Sequence, residues 1–265
     1  MAAFLSGIIQ DKILHLHAHV DNPMFKKIFV QIQAFLTRVI SPPYFFAFAE
    51  KCMPWLILGL ILTLGYGLIG ALYLAPADYL QGEGFRILYV HVPCAFLSLL
   101  IYSLMAVAAT LGLVWRLKLA FAVMHQSAML GAIFTFLALM TGSLWGKPMW
   151  GTFWIWDARL TSELILLFLY LGVIALHSAL PNRRLADQAT AVLVLLGFVD
   201  IPIIHYSVNW WNTLHQGSTI RLLAPSLITP SMLYPLLAMT AAFCCYFAIT
   251  LILRLRCDLN TEVKV

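Results

Sequence analysis

Six stretches of twenty or more mostly apolar residues leave this chain one broad way to fold. They run roughly Pro54–Ala75, Ile87–Trp115, Leu119–Leu144, Leu160–Leu180, Ala189–Val208 and Pro230–Leu253. A helix needs about 20 apolar residues to cross a bilayer, and a membrane strand only about 9–11. Hydrocarbon offers no water to a backbone amide, so only helices and closed barrels cross it, and runs this long exclude the barrel. Only 10% of the residues are charged and 62% are hydrophobic, whereas a soluble domain averages about 25% charged. The expected fold is therefore all-α: a polytopic membrane protein with six transmembrane helices in residues 51–254. Residues 1–50 are expected to be an N-terminal leader, and 255–265 a tail.

The flanking cations orient the bundle. Twelve of the sixteen Lys and Arg residues fall in the N-terminus, the turns at Arg116/Lys118 and Arg183/Arg184, and the C-terminal tail. The other side carries Arg86, Lys147, Arg159 and Arg221. The excess of cations on one side predicts that both termini are cytoplasmic. The net charge of +5 is thereby explained as a topology signal, and nucleic acid is not an expected partner. The leader lacks the apolar core and small-residue cleavage site of a secretory signal. It is expected to be cytoplasmic, either lying on the lipid surface or partly disordered. Its alternating His15, His17 and His19 have no Cys or acidic residue at metal-ligand spacing. The five cysteines form no Cys-x-x-Cys pair, which argues against a thioredoxin-like, zinc or covalent haem site. No phosphate-binding Gly-x-x-x-x-Gly-Lys-Ser/Thr occurs, so the chain cannot itself hydrolyse ATP through such a loop.

Between the third and fourth runs lies WGKPMWGTFWIWDARLT, residues Trp145–Thr161. Trp145, Trp150, Trp154 and Trp156 fall within twelve residues, followed by Asp157 and Arg159. This segment, about 145–159, is expected to be an outer loop. With Trp210 and Trp211 it puts six tryptophans on one side, more than an interfacial aromatic belt requires. A rigid aromatic platform ending in charge suits a large, flat, apolar ligand with charge at one edge, and the haem macrocycle with its two propionates has that form. Three histidines fall on the same side: His91 a few residues into the second run, His205 near the end of the fifth, and His215 in the loop after it. Neutral imidazole is a common haem-iron ligand. His91 reads as a ligand because a polar residue inside a span is costly. The residues alone leave open whether His205 or His215 is the second. Arg86, Lys147, Arg159 and Arg221 are the cations on that side, and Arg grips a carboxylate with two charge-assisted bonds. Asp157 could instead pair with Arg159. Glu163 and Asp200 are intramembrane acids that read first as packing groups and second as members of a proton relay.

The segment WGTFWIWDARLT (Trp150–Thr161) resembles the tryptophan-rich "WWD" signature of the haem-handling proteins of cytochrome c maturation. The chain is similar to the six-span CcmC family within that group. Matching stretches are APADYLQ (Ala75–Gln81), YVHVP (Tyr89–Pro93), TGSLW (Thr141–Trp145), TSELILLFLY (Thr161–Tyr170) and PIIHYSVNWWNTLHQGST (Pro202–Thr219). The resemblance implies that haem b is held without a covalent bond at the outer face of the bacterial inner membrane. His91 and His215 would be its axial ligands, and the family's haem-contacting arginines would match Arg86 and Arg159. Trp145, Trp150, Trp154, Trp156 and Asp157 would also contact haem. It also implies transfer to the chaperone CcmE, with CcmD, CcmA and CcmB as partners, and no enzymatic activity. Two other readings remain at this point: a membrane oxidoreductase using haem or quinone, and a haem-free permease subunit of an ABC transporter. The leader, about fifty residues, is longer than the family leads one to expect.

Overall fold

The structure is a computed structural model that describes residues 27, 30, 31, 33–35, 41–215 and 228–263. His15, His17, His19 and Arg221 lie outside the described residues. The chain forms two units, Met1–Phe45 and Phe46–Val265. In the first, residues 27, 30, 31 and 33–35 are helical, as are its last residues, which begin helix α1.

Seven helices carry the remainder: α1 (Pro42–Ile69), α2 (Leu88–Trp115), α3 (Lys118–Trp150), α4 (Ala158–Ala179), α5 (Arg183–Gly197), α6 (Asp200–Trp210) and α7 (Pro230–Val263). A π-helical turn, Gly70–Leu74, extends α1, and a 3-10 turn, Glu83–Ile87, leads into α2. Together they make six segments long and apolar enough to cross a membrane. No strand occurs among the described residues. The six-span, all-helical expectation therefore stands.

Three details differ from the hydropathy reading, each for a local reason. First, α1 begins at Pro42, twelve residues before the first apolar run, and passes through Pro54 without ending. Proline suits the first turn of a helix, where its missing N–H has no partner to lose. Second, α3 runs on to Trp150, so the first part of the tryptophan segment is helix rather than loop. It stops only at Gly151, whose φ of 79° is left-handed and whose N–H bonds the Lys147 carbonyl at 3.0 Å. Third, the fifth span is broken at Phe198–Val199. Pro202 has no N–H for the Phe198 carbonyl and its ring crowds that group. The Phe198 carbonyl instead accepts from Ile201 in a tighter turn, at 3.1 Å.

Lipid tails are as apolar as leucine, so span-to-span association rests on close packing and hydrogen bonds rather than on expulsion of water. The buried face of α2 accordingly includes Ala106, Ala108, Ala109 and Gly112, and that of α3 Ala120, Ala122, Ala128, Gly131, Ala132 and Ala138. Bulky residues such as Ile61, Leu62, Phe136, Phe168 and Leu196 point outward, where lipid would cover them. At Gly131 the backbone of α3 meets the ring of Tyr170 on α4. A Cβ there would collide with Cε1 of that ring. Tyr170 is fully buried and its hydroxyl donates to the Ser98 carbonyl of α2 at 2.7 Å. One ring thus ties three spans together. Gly131→Val should force that ring out and cost about 1–3 kcal/mol or more, as overpacking does. The check is detergent-solubilised thermal unfolding, with Gly131→Ala showing a smaller loss of the same sign; an unchanged melting temperature in the valine variant would refute this account of the packing.

Candidate functional site

The start of α2, the end of α3, the start of α4 and the end of α6 lie at one end of the bundle. They enclose a cavity of about 680 Å³, within the range of about 300–1,000 Å³ usual for small-molecule sites. Its wall includes His91, Trp145, Trp150, Arg159, His205 and His215. Leu88, Val92, Phe96, Leu99, Ala138 and Leu139 make much of the remainder apolar.

His91 is set by its neighbours on α3. Its Nδ1 lies 3.0 Å from the Ala138 carbonyl and 3.1 Å from the Thr141 hydroxyl. A carbonyl accepts only, so Nδ1 carries the proton and Nε2 keeps its lone pair. That tautomer is the one a metal ligand needs, with the second nitrogen held by a carbonyl. Gly142 makes the approach possible: a Cβ there would sit 2.9 Å from the His91 Cε1. Trp145 packs edge-on against the same imidazole, centroids 5.7 Å apart, and its indole N–H donates to the Gln81 side chain at 3.0 Å.

His215 comes from the segment after α6 and lies against Trp150, with ring centroids 6.4 Å apart. Its placement runs through Asp157. One oxygen of that carboxylate caps α4, accepting from Leu160 N–H at 2.8 Å. The other accepts from the Thr213 hydroxyl, and the Thr213 oxygen in turn accepts from the His215 N–H at 3.1 Å. An N-cap therefore also anchors the segment that carries the histidine. His91 lies within electrostatic reach of both His215 and Arg159.

The arginines part company. Arg159 lines the cavity, with one guanidinium nitrogen bound to the Ile204 carbonyl of α6 at 2.8 Å. Arg86 is not on the wall. It bonds the Ala71 and Ala75 carbonyls at the end of the first span, and pairs with Glu83 at 2.5 Å. Asp157 makes its two hydrogen bonds to Leu160 and Thr213. Trp154 and Trp156 also stand off the wall. Their rings meet edge to face at 5.4 Å, and Trp156 is 75% exposed. Lys147 turns away, its ammonium bonded to the Gly151 carbonyl and lying 5.3 Å over the Phe153 ring. His205 is on the wall, with its ring edge-on to Tyr206 at 4.8 Å.

Glu163 borders the same cavity and is buried, accepting from the Ser98 hydroxyl at 2.6 Å. Among the described residues, its second oxygen, Oδ2 of Asp200 and the Tyr102 hydroxyl are buried without a hydrogen-bond partner. Sequence reading passed over Gln81, Thr213 and Gly142, which respectively hold Trp145, place His215 and admit His91. Gln81 and Gly142 stand inside stretches singled out by motif, and Thr213 lies two residues from His215. A lone polar residue in a turn carries no periodic signal.

The donor set suits haem: among the described residues, the cavity wall carries the His91 imidazole with Nε2 free of a hydrogen bond, a second imidazole, indole and aliphatic surface, and a guanidinium. Comparisons with known proteins agree in kind. The chain is 56% identical over 184 residues to "Heme exporter protein C" of Escherichia coli strain K12, covering 69% of this chain and 75% of that one. It is 46% identical over 212 residues to the protein of the same name from Bradyrhizobium diazoefficiens, 80% of each chain. It is 48% identical over 173 residues to the "Putative cytochrome c biosynthesis ccmC-like mitochondrial protein" of Marchantia polymorpha, 65% of this chain and 73% of that one. A family profile described as "CcmC: Heme exporter protein C" matches residues 35–264, and the chain belongs to that family.

Proposed function

We propose that this chain holds haem b, without a covalent bond, at the outer face of the membrane and passes it to the chaperone CcmE. Family membership supplies the coarse reading: haem delivery in cytochrome c maturation, with haem as the transported ligand and the chain as part of a Ccm haem export system. Its six spans and its bacterial relatives make it a multi-pass protein of the bacterial inner membrane. CcmD and the transporter components CcmA and CcmB are the further partners this reading names. It assigns the chain binding and transfer rather than catalysis.

One observation carries the reading. Three helices and one loop bring His91, Trp145, Trp150, Arg159 and His215 to a single, largely apolar cavity. His91 and His215 are the axial ligands in this reading, giving a six-coordinate iron. Trp145 and Trp150 supply contact to the ring, and Arg159 faces a propionate. Arg86 already serves backbone carbonyls, and Trp154 and Trp156 meet the macrocycle where it extends past the cavity wall. His215 is preferred to His205 because a separate hydrogen-bond chain through Thr213 and Asp157 exists to place it.

The electron-transfer alternative needs a second haem, and His125 and His177 are the histidines at the other end of the bundle. Their rings lie 3.7 Å apart and both Nε2 atoms face one oxygen of Asp187. A porphyrin plane does not fit between them, which weighs against that alternative.

His91→Ala and His215→Ala should each shift the absorption spectrum of the purified protein and lose haem, with partial recovery on adding imidazole. His205→Ala should leave the spectrum largely intact. Loss of haem from His205→Ala alone, with His215→Ala unaffected, would move the second ligand to α6. Thr213→Val removes the link between Asp157 and His215. It should weaken haem retention by about fivefold, the worth of one hydrogen bond of about 1 kcal/mol, without loss of helical content. Unchanged haem content in Thr213→Val would remove the argument from that link. For orientation, a reporter active only in the periplasm and fused after Val265 should be silent. Strong activity there would put the cavity on the cytoplasmic side and sink the outer-face assignment.

A further inference from the structure

At the bundle end opposite the cavity, three side chains from three helices converge. His125 is in the second turn of α3, His177 is two residues from the end of α4, and Asp187 is in the first turns of α5. The His125 Nε2 lies 2.9 Å from the Asp187 Oδ1 and the His177 Nε2 3.6 Å from the same oxygen. The ligand atoms of all three residues lie within 4.8 Å of one another. We propose that His125, His177 and Asp187 form a binding site for a divalent first-row transition-metal ion of the zinc type, separate from the haem cavity.

Bonds of about 2.0–2.1 Å from a tetrahedral ion put neighbouring ligand atoms about 3.3 Å apart. The two measured separations, 2.9 and 3.6 Å, straddle that edge. Two imidazoles and one carboxylate match the donor preference of zinc and ferrous iron, and not that of calcium or magnesium. A purely hydrogen-bonded triad accounts for the cluster less well. The Asp187 oxygen, at 3.6 Å, lies at the outer limit of a hydrogen bond from the His177 Nε2, and among the described residues that buried nitrogen has no other partner. Leaving such an atom unsatisfied costs about 1–3 kcal/mol, and a metal ion satisfies it. Three ligands leave a fourth position open, as in sites that take an exchangeable ligand. Asp187 also lines a cavity of about 450 Å³ shared with Arg116, Lys118, Arg183 and Arg184. An anion or hydroxide reaching the ion from that side meets favourable charge.

The test uses full-length, haem-free protein in detergent, stripped with a chelator and titrated with zinc chloride by calorimetry. His15, His17, His19, His91, His205 and His215 are replaced by alanine in the parent, so that His125 and His177 are the two imidazoles left. One zinc ion should bind per chain and raise the melting temperature, because a ligand that binds only the folded state stabilises it. His177→Gln and Asp187→Asn should each weaken binding by more than about tenfold, the lower end of what loss of a mere supporting partner costs, and abolish the thermal shift. His177→Cys, which keeps a zinc ligand, should retain both. A parent that binds no zinc overturns the proposal, as do Gln and Asn variants with unchanged affinity and thermal shift. If those two variants fail to fold, His177→Cys decides: a folded variant without zinc-dependent stabilisation equally rejects the site.

Discussion

Hydrocarbon gives a free backbone carbonyl or amide nothing to bond with, so each place where a span ends or breaks must be met by another part of the chain. That requirement shapes the whole bundle. The π-helical end of the first span is met by the Arg86 guanidinium at Ala71 and Ala75. The start of α4 is met by the Asp157 carboxylate, and the carbonyl freed at Phe198 by Ile201 N–H; Arg159 bonds the Ile204 carbonyl within α6. Arg86, Asp157 and Arg159 therefore each bond the backbone before they can meet a ligand. Arg159 is the one that both holds a carbonyl and faces the cavity.

Close packing does the remaining positioning. α2 and α3 meet through alanine and glycine, which brings their backbones near enough for an imidazole on one to reach a carbonyl on the other. His91, Ala138, Thr141 and Gly142 are one consequence of that approach. A larger residue at Gly142 pushes the His91 ring aside. The orientation of the imidazole is therefore a property of the interface between two helices rather than of the YVHVP stretch alone.

Much of this was legible in the sequence. Hydropathy yields six spans because length and composition suffice for that inference, and the bunching of tryptophan and histidine beside particular spans falls at the end of the bundle where the cavity lies. The break at Phe198–Val199 was hidden because the residues across it remain apolar, and only Pro202 signals it. The helical course of Trp145–Trp150 was hidden because tryptophan and proline read as loop, whereas no left-handed residue intervenes before Gly151. The choice between His205 and His215 could not be read from residues since both lie on the same side, and the structure puts both on the wall. The roles of Arg86 and Arg159 differ through contacts with carbonyls more than ten and more than forty residues away, which local spacing does not encode. The cluster of His125, His177 and Asp187 was invisible for the same reason: its members are scattered over three helices.

The chain through Asp157, Thr213 and His215 makes the two sides of the cavity mechanically unequal. His91 stands on one helix and its Nδ1 is held by a carbonyl and a hydroxyl of a second, so its displacement would break both contacts. His215 is registered against the bundle through a hydroxyl and a carboxylate, each able to rotate about a single bond. A planar guest clamped between supports of unequal stiffness parts first from the more compliant one, as a sheet peels from its weaker edge. Under the ligation proposed above, departure becomes a stepwise peeling in which one axial histidine bond is kept while the other is exchanged.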